Sequence, residues 1–438
     1  MEWYIVITLF FVLLMLFILT GFPVAFGFIA VNIILTILFI GLDGGLQTFV
    51  RSAFESLGSF SLTPIPLFIL MGEVLFHSGL VMKLIDVLSR WMGRLPSRLS
   101  ILTMAAGTLF SALSGSAVAN AAMLGSSMTP EMEKRGYHLK MSVGPILGAG
   151  ALATIIPPST TAILLGGLGG ISVGDLLIGG VIPGILLAVL MIIYFMALGI
   201  FNPSVAPVYD VDKTSWNEKL RSLVFDAVPL MGLIVLVVWL IFSGFATPTE
   251  SAAIGALGAL LLPIVYGRLT VDVLKRSILG TLKVSGMILL ILAASAGFSQ
   301  LIAFTGAARG LVDAVLSLNV DPLVSVIGML LIILILGTFI EPISILMITT
   351  PLYIPVVTAL EFDLVWFGLL VLICLGIGNI TPPFGLLLFV IRGVIPSNVS
   401  MKEIYKSVIG VITISLVGVI IIIIFPEIVT WLPSVGAD

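Results

Sequence analysis

The sequence predicts an all-α polytopic membrane protein of two related halves, with about ten transmembrane helices and two re-entrant hairpins. Three observations carry this. The 438 residues are 60% hydrophobic and only 9% charged, with mean hydropathy +1.29. Apolar stretches of about 20 residues recur, each long enough to cross a hydrocarbon core of about 30 Å as a helix. Finally, the first half is rewritten in the second at an offset of 225 residues. Pro23 falls on Pro248, Gly72 on Gly297, Ser116 on Glu341, Pro130 on Pro355, and Pro157-Pro158 on Pro382-Pro383.

Inside lipid every backbone donor and acceptor must be satisfied, which leaves helices or closed barrels. The apolar runs are unbroken rather than alternating, so they predict helices. In the first half (1–200) the expected crossings are 3–20, 23–41, 61–80, 141–171 and 176–200. In the second (223–438) they are 223–243, 248–266, 284–304, 365–391 and 404–425. Residues 98–131 and 322–358 each read as two apolar halves around a polar or proline hinge, hence as hairpins. Residues 44–60 and 81–97 read as amphipathic pieces lying along the interface. The polar stretch 201–222, with a turn signal at Asn202-Pro203, reads as a linker between the halves. Glu2 in place of a basic cluster, and no small-residue cleavage site after the first apolar run, predict a retained helix rather than a signal peptide.

Charge fixes the expected orientation. With the N-terminus outside, the inside segments hold Lys83, Arg90, Arg94, Arg98, Lys134, Arg135, Lys140, Lys213, Lys219, Arg221, Arg268, Lys275, Arg276, Lys283, Arg392, Lys402 and Lys406, or 17 of the 19 basic residues; Arg51 and Arg309 fall outside. The positive-inside rule therefore predicts both termini outside. Five crossings per half is an odd number, so the second half starts on the opposite face and the repeat is inverted. The first hairpin would open from the cytoplasm and the second from outside.

Net charge is −3, too small to suggest a nucleic acid or another anionic macromolecule as partner. The single cysteine, Cys374, lies in an apolar run and reads as packing.

The residues able to carry chemistry sit where helices must break. The first hinge is Ser114-Gly115-Ser116, with Asn120 one turn on. The second is Gly337 to Glu341-Pro342, with Ser344 behind it. Each is followed, 41 residues past Ser116 or Glu341, by an adjacent proline pair. Adjacent prolines remove two donors and clash with preceding carbonyls, so the helix opens. The first break spans Thr154-Ile155-Ile156-Pro157-Pro158-Ser159-Thr160-Thr161, and the second Gly378-Asn379-Ile380-Thr381-Pro382-Pro383-Phe384-Gly385. Freed carbonyls and nearby hydroxyls are hard oxygen ligands suited to an alkali cation. The half-helix that follows offers its positive end to an anionic substrate. Such paired breaks in two halves are the mark of a transporter built from repeats.

At these residues the chain resembles a known family. Ser114-Gly115-Ser116, then Pro130-Glu131-Met132, Arg135-Gly136-Tyr137 and Ile155-Ile156-Pro157-Pro158-Ser159, look like the large membrane subunit of tripartite ATP-independent periplasmic (TRAP) transporters. Ala246-Thr247-Pro248-Thr249-Glu250 and Thr381-Pro382-Pro383-Phe384-Gly385 agree in the second half. The resemblance covers essentially the whole chain. It implies an elevator fold, sodium-driven uptake of a small organic acid, and residence in a bacterial inner membrane. It also implies two partners: a periplasmic substrate-binding protein and a small four-helix membrane subunit. By that resemblance one sodium site would use Ser114, Gly115, Ser116, Ile156 and Pro157. The other would use Gly337, Glu341, Gly378, Thr381 and Pro382. Glu341 departs from the family pattern, which usually has aspartate there. Asn120, Ser159, Thr160, Ser344, Asn379 and Gly385 are the expected substrate contacts.

Rival functions fit less well. An intramembrane serine hydrolase needs a base within reach of its nucleophile, and His77 is the one histidine expected within a span. A channel needs a continuous polar lining or ligand ring. A stand-alone sodium–carboxylate symporter shares the architecture but not the motif set. Glu73 and His77, spaced i, i+4, read as a structural pair, and Glu250 as a helix cap.

Overall fold

The computed structural model describes residues 3–21, 24–209, 215–395 and 399–436, and every regular element among them is helical. Glu2, Pro23 and Lys213 lie outside the described residues. The first half runs α1 (Trp3–Leu19), α2 (Val24–Phe39), α3 (Leu42–Leu57), α4 (Pro64–His77), α5 (Leu80–Trp91), α6 (Arg98–Ser114), α7 (Ala117–Lys134), α8 (Leu139–Leu152), α9 (Thr160–Gly169), α10 (Val173–Gly179) and α11 (Val181–Phe201). The second runs α12 (Trp216–Ser222), a π-helical turn at Leu223–Ala227, α13 (Val228–Phe242), α14 (Pro248–Val265), α15 (Val271–Thr305), α16 (Ala307–Ser317), α17 (Pro322–Gly337), α18 (Pro342–Ala359), α19 (Leu364–Asn379), α20 (Leu386–Val394), α21 (Met401–Ile424) and α22 (Glu427–Gly436).

Seven helical segments among the described residues are long and apolar enough to cross a membrane, and seven shorter apolar helices accompany them. The hinges and breaks fall where sequence places them: α6 turns into α7 at Gly115-Ser116, α17 into α18 before Pro342, and gaps separate α8 from α9 and α19 from α20. One expectation needs correction. The helix expected at 284–304 is 35 residues long and begins at Val271. Thr270 caps it by accepting from the Val273 N–H, and its first turns carry exposed charges where an apolar run was sought. The crossing expected at 176–200 is found as one apolar span, Val173–Phe201, in which α10 and α11 meet at Gly180. Within the linker, Ser215 and Glu218 form a reciprocal capping box that starts α12.

Long-range packing is reciprocal between the halves. Helix α2 lies on α15 while α14 lies on α4, and α9 lies on α18 while α7 lies on α20. Phe10, Phe28 and Phe298 are fully buried and knit α1, α2 and α15, with the Phe10 and Phe298 rings 4.0 Å apart. In lipid such contacts stabilise through close packing rather than release of water. Polar groups fix the register: Asn32 donates to the Ala294 carbonyl at 2.7 Å, and Thr154 to the Leu372 carbonyl at 2.8 Å. Cys374 is buried, and Thr247 with Glu250 forms a capping box at the start of α14, as expected.

Candidate functional site

The first hinge is built by backbone conformation. Gly115 has φ +58°, a left-handed geometry that costs a residue with a Cβ about 1–2 kcal/mol. Ser116 then caps α7, its hydroxyl accepting from the Ala119 N–H at 3.2 Å. The Ser114 hydroxyl accepts from the Ser116 N–H at 3.3 Å. Gly72 of α4 presses on this tip: a Cβ there would stand 2.6 Å from the Ser114 Cα.

The first break is closed by its own hydroxyls. Ser159 donates to the Thr154 carbonyl at 2.6 Å and Thr161 donates to the same oxygen at 3.2 Å. The Ser159 hydroxyl also accepts from the Ala162 N–H, capping α9. The Thr154 carbonyl, expected to be free, is therefore satisfied within the break. Thr160 reaches across and donates to the Gly115 carbonyl at 3.3 Å, tying break to hinge.

In the second half Thr338 ends α17, and Glu341 begins α18 as its cap. One Glu341 carboxylate oxygen accepts from both the Ser344 N–H and the Ser344 hydroxyl, each at 3.1 Å. At the second break Thr381 donates to the Ile377 carbonyl at 2.6 Å, and the Gly385 N–H donates to the Thr381 carbonyl at 3.1 Å. Tyr405 of α21 holds the Pro383 carbonyl at 2.7 Å. Both Pro-Pro peptide bonds are cis.

All four broken elements meet at one cavity of about 330 Å³. Ser114, Gly115 and Ser116 contribute from the first hinge, Thr154, Thr160 and Thr161 from the first break, Glu341 from the second hinge and Asn379 from the second break. Asn379 is almost wholly buried, and its side-chain carbonyl has no hydrogen-bond partner among the described residues. A buried amide carbonyl left unpaired costs about 1–3 kcal/mol, which leaves this oxygen available to a ligand in the cavity. The polar lining side chains, Ser114, Ser116, Thr154, Thr160, Thr161, Glu73, Glu341 and Asn379, all carry oxygen, the ligand type that suits a hard alkali cation.

Several expected site residues lie elsewhere. Asn120 is fully buried, donating to the Gly107 carbonyl and the Ser111 hydroxyl, and so joins the two arms of the hairpin. Ser159, Ser344 and Gly385 stand behind the lining as caps and turn. Ile156 and Pro157 line a separate apolar cavity of about 430 Å³ against α13. Gly337 and Gly378 touch backbone to backbone, and Thr381 and Pro382 adjoin them without lining the cavity. Sequence reasoning missed Glu73 as a lining residue. It forms the expected pair with His77, at 3.1 Å, yet also faces the cavity beside Ile69 of α4 and Val284, Met287 and Ile288 of α15. The available signal was its neighbour Gly72, one of the positions repeated between the halves.

The family model for the DctM component of tripartite ATP-independent periplasmic transporters matches residues 11–428. This chain belongs to that family. Among its relatives, the C4-dicarboxylate TRAP transporter large permease protein DctM of Rhodobacter capsulatus is 31% identical over 87% of this chain and 89% of its own length. The ectoine TRAP transporter large permease protein TeaC of Halomonas elongata is 28% identical, covering 94% of this chain and 96% of that protein. The sialic acid TRAP transporter large permease protein SiaM of Vibrio cholerae is 28% identical over 94% and 95%. Among solved structures, the YdaH transporter of Alcanivorax borkumensis superposes with TM-score 0.65 at 15% identity, covering 87% of this chain and 88% of that one. MtrF of Neisseria gonorrhoeae gives 0.63 at 16%, covering 94% of each. Both likenesses concern fold alone. The chain is thus a multi-pass membrane protein of the large-permease type.

Proposed function

We propose that this TRAP large permease takes up a small organic acid by sodium symport, using the cavity between the two hinges and the two breaks. The convergence of four broken elements, each bringing polar groups, on one otherwise mainly apolar cavity carries the reading. Sodium would be held as co-transported cargo by Ser114, Gly115, Ser116 and the backbone before Pro157 at one edge of the cavity, and by Glu341 with the adjoining Gly337, Gly378 and Thr381 at the other. Electrostatics supports the coupling. The charged side chains that line the cavity are Glu73 and Glu341, both carboxylates. An anion alone would meet repulsion in a low-dielectric site, whereas cations entering with it restore neutrality. Helices α7, α9, α18 and α20 all begin at the cavity, and their positive ends favour the anionic group.

The reciprocal packing of α2 on α15 and α14 on α4 supports an inverted repeat with about ten crossings. In this reading the hinged and broken helices form a block that slides against a scaffold, as in an elevator. The bacterial inner membrane houses it, both termini are periplasmic, a small four-helix subunit braces the scaffold, and a periplasmic protein delivers substrate. Reconstitution into vesicles together with a candidate small subunit and binding protein tests the function. Uptake is expected with an inward sodium gradient and lost when potassium replaces sodium; equal uptake in both salts would reject the symport.

A further inference from the structure

A second polar cavity, of about 500 Å³, shares no lining residue with the transport site. Its walls come from α5, α12, the π-helical turn and the end of α14, and its charged groups are Lys83, Arg90, Arg221, Glu218 and Asp226. Lys83 is committed: its ammonium contacts Asp226 at 2.7 Å and sits 4.4 Å over the Tyr266 ring. Tyr266 in turn donates to the Phe225 carbonyl, which the π-helical turn presents. Arg90 feels Asp86 electrostatically but makes no close ion pair, and Arg221 makes none, among the described residues. Two guanidiniums therefore face one polar cavity without a close ion pair, and its remaining carboxylate, Glu218, is engaged in capping α12 by accepting from the Ser215 N–H.

The surroundings are those of a lipid interface. Trp91 of α5 and Trp216 of α12, two of the helices that wall the cavity, pack edge to face at 5.5 Å; Phe225 of the lining is exposed, as is Val265, the neighbour of Tyr266 in sequence. Indole rings favour the headgroup level of a bilayer, and exposed apolar side chains next to it favour acyl chains. Guanidinium pairs recognise phosphate oxygens with fixed fork geometry. π-helical turns concentrate at functional sites.

We propose that this cavity binds the phosphodiester of an anionic phospholipid, with Arg90 and Arg221 as its ligands and the acyl chains lying along Phe225 and Val265. A singly charged headgroup such as phosphatidylglycerol is favoured over a zwitterionic one, whose cationic group would meet Lys83, Arg90 and Arg221. The site is independent of the transport reading.

Native mass spectrometry of the delipidated full-length chain tests it, with phosphatidylglycerol, phosphatidylcholine and inorganic phosphate as separate probes. Wild type should retain one phosphatidylglycerol under conditions that strip phosphatidylcholine, and excess inorganic phosphate should not displace it. The double change Arg90→Gln/Arg221→Gln should weaken retention about thirtyfold, as expected for two cationic residues at a lipid surface. Arg221→Lys keeps the charge and should recover part of that loss, while Glu218→Gln should not weaken binding at all. Unchanged melting temperatures would show that the variants are folded. Equal retention by the double variant, no preference between the lipids, or displacement by inorganic phosphate would each overturn the proposal.

Discussion

Gly337 and Gly378 meet backbone to backbone: a Cβ on Gly337 would stand 2.8 Å from the Cα of Gly378, and one on Gly378 would stand 2.7 Å from the Cα of Gly337. This contact seats the second hairpin on the second broken helix. Alanine at either position forces the helices apart, and overpacking of this kind costs about 1–3 kcal/mol. Both Gly337→Ala and Gly378→Ala should lower the melting temperature in detergent and reduce uptake. A variant with wild-type stability and transport would show that the close approach is not required.

Asn379 invites the opposite result. Its side-chain carbonyl is buried without a partner, a cost of about 1–3 kcal/mol in the ligand-free protein. Asn379→Leu removes that oxygen at similar volume and should leave the melting temperature unchanged or raised while uptake is abolished. Loss of stability together with activity would instead mark Asn379 as a structural residue.

Hydroxyls at the two halves of the site can be tested in parallel. Ser116→Leu removes an α7 cap worth about 1 kcal/mol and crowds the Gly115 turn. Thr381→Val removes one hydroxyl at constant shape. Both proteins should insert, and both should lose sodium-dependent uptake. Undiminished uptake by the pair would count against the assignment.

Glu73 faces the cavity as a carboxylate. At an effective dielectric of about 20, a carboxylate charge facing the cavity contributes on the order of 1 kcal/mol to holding a cation there, or about fivefold in affinity. Glu73→Gln should raise the sodium concentration for half-maximal uptake by about that factor, with little change in the maximal rate. An unchanged sodium dependence would leave Glu73 as a structural partner of His77.

Much of this site was legible in the chain because the constraints are local. Adjacent prolines at 157–158 and 382–383 open a helix whatever surrounds them, and Gly115 with Ser116 carries its own turn and cap. The offset of 225 residues then paired the hinges. What escaped depended on three-dimensional approach. Glu73 becomes a lining residue because Gly72 lets α4 press on Ser114, a contact between distant segments. Asn120 looked like a tip residue by spacing, yet its amide finds partners across the hairpin and turns inward. The start of α15 was missed because exposed charges around Lys275 and Lys283 broke the apolar run, although a helix cap at Thr270 needs no apolar face.

Orientation has its own test. Single cysteines at Gly44 and Val435 should react with an impermeant thiol reagent applied to intact cells, whereas one at Ser215 should be protected. Labelling of Ser215 with protection of Val435 would overturn the placement of the termini.

The central claim is that sodium and substrate pass together through the cavity between Ser114–Ser116 and Glu341–Asn379. Simultaneous measurement of radioactive sodium and substrate entry into vesicles, with binding protein present, tests it most directly. Sodium should enter only while substrate enters, in a fixed ratio, and Ser116→Leu should abolish both fluxes together. Substrate entry unaccompanied by sodium would contradict the account.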